Sequence, residues 1–300
     1  MASASSRPQP QSPPSPEPPR PAGPAVRAGE APPAPEPLRV PVADAHTHLD
    51  MQQGTVAEAL RQAAEVGVTT LIQVGCDVAR SRWSAEVAAA HPAIWAAVAL
   101  HPNEAPRLEQ EGGPQALDAA LDEIAELARL PQVKAVGETG LDYFRTGEEG
   151  RAAQHRSFRR HVALAKETGK ALVIHDREAH EDVLRILDEE GAPERTVLHC
   201  FSGDAELARV CADRGYFLSF AGNVTFGSAQ ALRDAVAVAP PELLLVETDA
   251  PFLTPVPYRG RPNAPYLVPL TVRAMAEVKG MSEDALAEHL ARNSARAFGY

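Results

Sequence analysis

His46 and His48, Glu138, His175, His199 and Asp249 are of the residue types that hold divalent cations, and each ends or closely follows a short apolar run. Long stretches with helical periodicity separate those runs. An isolated His-x-His motif carries little weight. Imidazoles and carboxylates at the ends of successive strands, however, describe a cup of donors at one mouth of a barrel. Such a cup holds divalent cations and brings the pKa of water towards neutrality, which is the chemistry of a metal-dependent hydrolase.

Each position has a role that its chemistry suggests. In Asp44-Ala-His46-Thr-His48 alternate residues share a face, so both histidines should face the barrel interior, with Asp44 one layer deeper and placed to orient a histidine by a hydrogen bond. A barrel interior is otherwise apolar, which argues against histidines that merely pack there. Glu138, in Val136–Asp142, can offer one oxygen to each of two cations, and a lone buried glutamate would be costly. Asp142 lies past that strand and either positions a ligand or caps the loop. His175 and His199 supply imidazoles to a second cation. Asp249 binds the first cation and is placed to take the proton from the attacking water, with Glu247, of the same parity, assisting from behind. On the substrate side, Arg177 can meet a phosphate oxygen as a bidentate donor, or else pair with Glu178 or Glu181. Arg259 and Arg261 lie in a loop long enough to reach over the mouth, where they meet a phosphate or form an ordinary solvated loop. His101, at the end of the third run, contacts substrate. His155, His161, His180 and His289 fall in helical stretches and read as surface residues, and His91 as structural.

The elements that must position these groups are eight β-like runs: Val42–His48, Thr69–Val74, Ile94–His101, Val133–Glu138, Ala171–His175, Thr196–His199, Tyr216–Phe220 and Leu243–Glu247. They are rich in Val, Leu, Ile and Ala, as parallel strands buried on both faces are. Helical stretches lie between them, among them Thr55–Val66, Ala116–Arg129, Gly150–Thr168 and Glu178–Glu190, and Gly67, Gly169, Gly191 and Gly215 sit at their expected ends. This is the pattern of an α/β protein, a (β/α)8 TIM barrel. A doubly wound open sheet would not gather the ends of strands one, four, five, six and eight around one point.

Composition limits the remaining classes. Thirteen of the 28 prolines fall between Pro8 and Pro37, so residues 1–38 read as a disordered, partly polyproline-like tail ahead of a catalytic domain over 39–300. The tail has no continuous apolar region after its arginines, which excludes a secretory signal, and no 18-residue apolar run suggests a membrane span. An SH3-like protein partner of the tail is conceivable, but a passive extension is the simpler reading. Cys76, Cys200 and Cys211 have no zinc-like spacing and read as reduced, buried thiols of a cytoplasmic protein, with Cys200 pointing away from His199. The net charge of −11 belongs to the domain and excludes a broad electrostatic binder of duplex nucleic acid, although bound cations would supply local positive charge. Oxygen-rich donors suit Mg²⁺ or Mn²⁺, and the imidazoles would also accept Zn²⁺. The same cup would serve an ester or amide hydrolase, such as an aminoacyl-tRNA deacylase. A non-catalytic binding protein with the tail as docking arm is a third class, disfavoured because every donor is present.

Asp44-x-His46-x-His48-Leu49-Asp50, Gly137-Glu138-Thr139-Gly140-Leu141-Asp142-Tyr143, His175-Asp176-Arg177, His199-Cys200-Phe201-Ser202-Gly203 and Glu247-Thr248-Asp249-Ala250-Pro251 resemble the motifs of the TatD family of metal-dependent deoxyribonucleases. The resemblance runs from Val42 to the C-terminus in order, and the Gly-Glu-Thr-Gly-Leu-Asp and Glu-Thr-Asp-Ala-Pro motifs are highly specific for it. It implies an amidohydrolase-type TIM barrel, two divalent ions and hydrolysis of DNA phosphodiesters, with single-stranded DNA as substrate, Mg²⁺-dependent 3′–5′ exonuclease action and a link to DNA repair. It also implies that His46, His48, Glu138 and Asp249 hold one ion, and Glu138, His175 and His199 the other. A monomer is expected. This chain departs from the family in the loop after strand eight, where Arg261-Pro262-Asn263-Ala264-Pro265 replaces the Arg-Asn-Glu-Pro of many members, and in its proline-rich tail. The missing glutamate bears on loop contacts and substrate range.

Overall fold

The computed structural model describes residues 17–21 and 29–300. Its eight strands are β1 (Val42–Thr47), β2 (Val68–Gly75), β3 (Ile94–Val98), β4 (Val133–Asp142), β5 (Ala171–Arg177), β6 (Thr196–Leu198), β7 (Phe217–Phe220) and β8 (Leu244–Val246). They pair in parallel in sequence order. The ring is closed just beyond β8: Asp249 N–H donates to His46 O and His48 N–H to Ala250 O, both at 2.9 Å. The expected (β/α)8 barrel is therefore the fold, with β4 and β5 running further towards the mouth than their apolar runs suggested, and β3 stopping short of His101.

Helices α1 (Val56–Glu65), α2 (Val78–Ala90), α3 (Glu104–Ala128), α4 (Glu148–Thr168), α5 (His180–Glu190), α6 (Ala205–Asp213), α7 (Gln230–Val238), α8 (Val268–Lys279) and α9 (Glu283–Phe298) surround the strands. Their ends follow local chemistry. Thr55 and Glu58 form a reciprocal capping box at the start of α1, and Gly169 closes α4 with a φ of 62°. The first part of α3 is an addition to the expected helix from Ala116. Pro106, Gly112, Gly113 and Pro114 dilute its helical signal, and the chain breaks helical geometry at Gly113 before continuing. No helix among the described residues is long and apolar enough to cross a membrane.

Inside the barrel, Ala45, Ile72, Val74, Ala97, Val173 and Leu245 belong to one apolar cluster. A second, larger cluster fills the layer between strands and helices. Two strands break the alternation on the way up to the mouth. From Asp44 to Thr47, β1 advances three residues while β2 advances two, Leu71 to Gln73. From Val136 to Thr139, β4 advances three while β5 advances two, Leu172 to Ile174. An extra residue re-aims the side chains that follow it. Ala45 is thus interior, yet His46, His48 and Glu138 converge on one point above it. Gly137 and Gly140 allow the close approach of β4 to β5. A Cβ at Gly137 would lie 2.5 Å from Val173 Cβ, and one at Gly140 would lie 2.1 Å from His175 O.

Of the tail expected over 1–38, residues 1–16 and 22–28 lie outside the described residues. The described parts were expected to have no fixed structure, but they contact the barrel. Trp83 Nε1–H donates to Pro18 O at 3.1 Å, and Arg20 binds the carbonyls of Gln52 and Gly54. Tyr266 Oη–H donates to Pro32 O at 2.7 Å, and buried Leu38 donates its N–H to Val66 O. Proline has no N–H but keeps its carbonyl, so a proline-rich segment can be held through acceptors that composition does not reveal.

Candidate metal centre

The donors form two groups that share Glu138. In the first, His46 Nε2 and His48 Nε2 are 3.2 Å apart. Glu138 Oε2 lies 3.5 and 3.8 Å from them, and Asp249 Oδ1 lies 3.9 and 3.5 Å from them. A tetrahedral ion with bonds of about 2.1 Å has donor–donor edges of about 3.4 Å, so these separations fit one cation. The ring of His48 is already committed to that role. Its Nδ1 lies 3.1 Å from Val74 O, and a carbonyl can only accept, so Nδ1 carries a proton and Nε2 is the nitrogen turned to the centre. In the second group, Glu138 Oε1 lies 2.7 Å from His175 Nδ1 and 2.9 Å from His199 Nε2.

Carboxylates stand behind both imidazoles of the second group. Glu247 Oε1 is 3.3 Å from His199 Nδ1 and also accepts from Cys200 N–H, while Glu247 Oε2 accepts from Ser219 Oγ. Asp142 Oδ2 is 3.4 Å from His175 Nε2, and Asp142 also accepts from Arg145 N–H and Asn103. Such partners set ring orientation and raise ligand basicity. Burial opposes ionisation of Glu138, but the charge of His199, with the hydrogen bonds from His175 and His199, outweighs it and holds the carboxyl well below its ordinary value. The centre thus presents an ionised carboxylate with an oxygen for each group.

The structure brings together His46, His48, Glu138, His175, His199 and Asp249. His101 joins them, with Nε2 3.5 Å from Glu138 Oε1, and burial pushes its pKa down to about 3, which keeps the ring neutral. Glu247 backs His199 rather than Asp249. Asp44 does not reach an imidazole. It accepts from His46 N–H (3.2 Å), Thr248 N–H (2.9 Å) and Thr248 Oγ1 (2.5 Å), because the extra residue that follows it in β1 re-aims the histidines and leaves Asp44 at the β1–β8 seam. Burial raises its pKa to about 7. The arginines lie on aromatic rings: Arg177 is 3.8 Å from the centroid of Phe144 and Arg259 is 4.1 Å from that of Phe226. Arg261 lies 3.9 Å from Glu30 and over Tyr258. Asp249 holds its place with a φ of 51°, a left-handed conformation that is costly for a non-glycine residue.

Three features were not anticipated. Cys76 Sγ lies 3.6 Å from Glu138 Oε2, and burial pushes the thiol up to about 12, so it stays protonated beside the centre. The signal was its place two residues beyond interior Val74. Gln73 accepts from Leu49 N–H at 2.6 Å and donates to Asp50 and Ser84, which fixes the chain leaving His48. His161, expected at the surface, is fully buried and accepts from Leu100 N–H at 3.1 Å, one residue before His101. Its spacing from Phe158 and Val162 on α4 marks the inward face.

The chain matches the model of the family described as TatD related DNase over residues 43–299. It is 46% identical over 264 residues to the Mycobacterium tuberculosis protein named uncharacterized metal-dependent hydrolase TatD, covering 85% of this chain and 97% of that one. The Bacillus subtilis metal-dependent hydrolase YabD is 37% identical over 85% of this chain and 98% of its own. Among solved structures, the Escherichia coli TatD homologue YJJV superposes with a TM-score of 0.77 at 28% identity, covering 86% of this chain and 98% of that one. The family model spans nearly the whole barrel and includes every donor of the centre. The chain therefore belongs to the TatD-related DNase family of metal-dependent hydrolases.

Proposed function

We propose that the chain is a deoxyribonuclease that cleaves DNA phosphodiesters from an end of a single strand, in the 3′–5′ direction, with two divalent cations, Mg²⁺ or Mn²⁺. The observation that carries this reading is the division of Glu138, with Oε2 facing His46 and His48 and Oε1 facing His175 and His199. Two ions bound there would polarise the phosphoryl group, lower the pKa of water and stabilise the leaving oxygen. Asp249 puts Oδ1 against the two imidazoles of the first group and retains its second oxygen to take a proton. His101, neutral at physiological pH, can donate a hydrogen bond to a substrate oxygen from the β3 side. Arg177 and Arg259 supply positive charge beside the mouth of an acidic domain. A narrow barrel mouth admits a strand end more readily than a duplex.

The test is hydrolysis of end-labelled single-stranded DNA by metal-stripped protein titrated with Mg²⁺, Mn²⁺ and Zn²⁺, beside Glu138→Ala. The expected result is a metal-dependent ladder, lost in the variant, whose polarity follows from the labelled end. A ladder that persists in Glu138→Ala would overturn the site assignment. Absence of cleavage with metal bound would refute the nuclease and point to ester or amide substrates.

A further inference from the structure

Phe144, Phe252, Val256 and Tyr300 are the exposed large hydrophobic residues among those described, at 57%, 41%, 42% and 39% exposure. All but Tyr300 lie on loops at the mouth that holds the donors. Phe144 is two residues past Asp142, the last residue of β4. Phe252 follows Asp249 and Ala250 beyond β8, and its ring centroid is 6.4 Å from that of His48. In a ring of eight strands in sequence order, β4 and β8 stand opposite each other. Two exposed aromatic rings therefore flank the donor cup from opposite sides. Phe144 is also supported from one side, because the guanidinium of Arg177 lies 3.8 Å from its centroid. A cation on one face of a ring that remains more than half exposed fixes the ring while leaving surface for a further planar group.

We propose that Phe144, backed by Arg177, and Phe252 are stacking platforms for two nucleobases of a single-stranded nucleic acid whose phosphodiester lies over the donor cup. This inference rests on the nuclease reading and names how that site holds its substrate. Bases of a single strand have free faces, whereas those of a duplex are covered by their neighbours. Stacking accepts any base, since each has a π-face. It also resolves the electrostatic problem of a chain with net charge −11, which cannot draw a polyanion through a broad basic surface. Affinity then comes mainly from apolar contact at the two rings, with the phosphate charge met locally.

The experiment uses the full chain loaded with Mg²⁺. Single-stranded oligonucleotides carry 2-aminopurine near the labelled end and phosphorothioate linkages that slow cleavage, and a matched set is abasic at the same positions. Binding is read as fluorescence quenching, and KM is read separately with cleavable versions. Phe144→Ala and Phe252→Ala should each raise KM for the base-bearing strand by about 5- to 150-fold, the range for loss of one base–aromatic stack, with much less effect on kcat. The penalty should shrink at least several-fold on the abasic strand, and Phe144→Trp and Phe252→Trp should restore both KM and quenching. Equal penalties on base-bearing and abasic strands, or alanine variants with unchanged KM, would overturn the platforms while leaving the nuclease intact. If the wild type cleaves no nucleic acid, the nuclease reading fails, and absence of quenching in that case overturns the platforms as well.

Discussion

Protonation of His161 should loosen the segment that carries His101. His161 Nε2 accepts from Leu100 N–H at 3.1 Å, and Nδ1 lies 2.7 Å from Ser157 O. A peptide N–H only donates and a carbonyl only accepts, so the neutral ring carries its proton on Nδ1 and uses the Nε2 lone pair. The imidazolium has no lone pair, and protonation breaks the bond to Leu100. Burial accordingly lowers the pKa from 6.5 to about 4. An unfolded chain binds this proton more readily than the native state does. The contribution is therefore complete above the unfolded pKa and is lost as pH falls through the folded one. At about 1.4 kcal/mol per pH unit, the interval from 6.5 to about 4 corresponds to about 3 kcal/mol, of which about 2 kcal/mol is gone by about pH 5. The assay is urea unfolding of wild type and His161→Gln with EDTA present, at about pH 7.5 and about pH 5, so that titrations common to both proteins cancel in the difference. Wild type should lose about 2 kcal/mol more than the variant over that interval. Equal losses, or a His161 proton resonance that titrates near 6.5, would refute the reasoning.

Glu247→Gln leaves the shape of the support behind His199 and removes its charge. Isothermal titration with Mn²⁺ should show affinity at the His175–His199 group reduced by about 10- to 100-fold, with the His46–His48 group much less affected. Equal weakening of both would mean that Glu247 acts through the whole centre. Deletion of residues 1–36 removes buried Pro32, the Tyr266 bond to its carbonyl and the Arg273 bond to Glu36 O. A loss of about 1–3 kcal/mol is expected, seen as a fall of several degrees in Tm. An unchanged Tm would show that the segment contributes nothing to the fold, and loss of a captured partner with hydrolysis intact would assign it to docking.

The strands were legible because each parallel strand is buried on both faces and so is written as a continuous apolar run. The donors were legible because a carboxylate or imidazole at the end of such a run has no packing reason to be there. What alternation alone could not show is the extra residue in β1 and in β4. Counting by twos puts Asp44 with His46 and His48, whereas the shift between Asp44 and Thr47 breaks that parity and leaves its carboxylate on Thr248 across the seam. The same irregularity in β4 brings Glu138 onto the centre although Ala135 already faces the interior. His161 was misjudged, and Cys76, read as a reduced, buried thiol, was not placed at the centre. A polar residue on a helix reads as exposed, and a buried thiol reads as part of the packing, until the neighbour that satisfies or crowds it is known. Leu100 is 61 residues from His161, and Glu138 is 62 from Cys76. Non-local pairs of this kind leave no mark on local spacing.

The acidity of the domain leads to a last expectation, about salt. A nuclease that tracks its substrate through a basic groove replaces many counterions and weakens steeply as salt rises. Here the positive groups at the mouth are few. Arg261 already lies beside Glu30, and Arg107, Arg159 and Arg185 are spent on carboxylates of the surrounding helices. Arg177 and Arg259, each held on an aromatic ring, and Arg145, exposed beside Phe144, remain to meet phosphates. With about three phosphate contacts on a single strand, the slope of log affinity against log salt should be about −2.1. Monovalent salt would be varied at fixed Mg²⁺, with binding followed by 2-aminopurine quenching. A slope near that value would place most of the affinity in apolar contact and in the donor cup. A slope of about −4 or steeper would require several further phosphate contacts. Those would have to lie outside the mouth, and the substrate would then cross the surface of the barrel rather than enter it by its end.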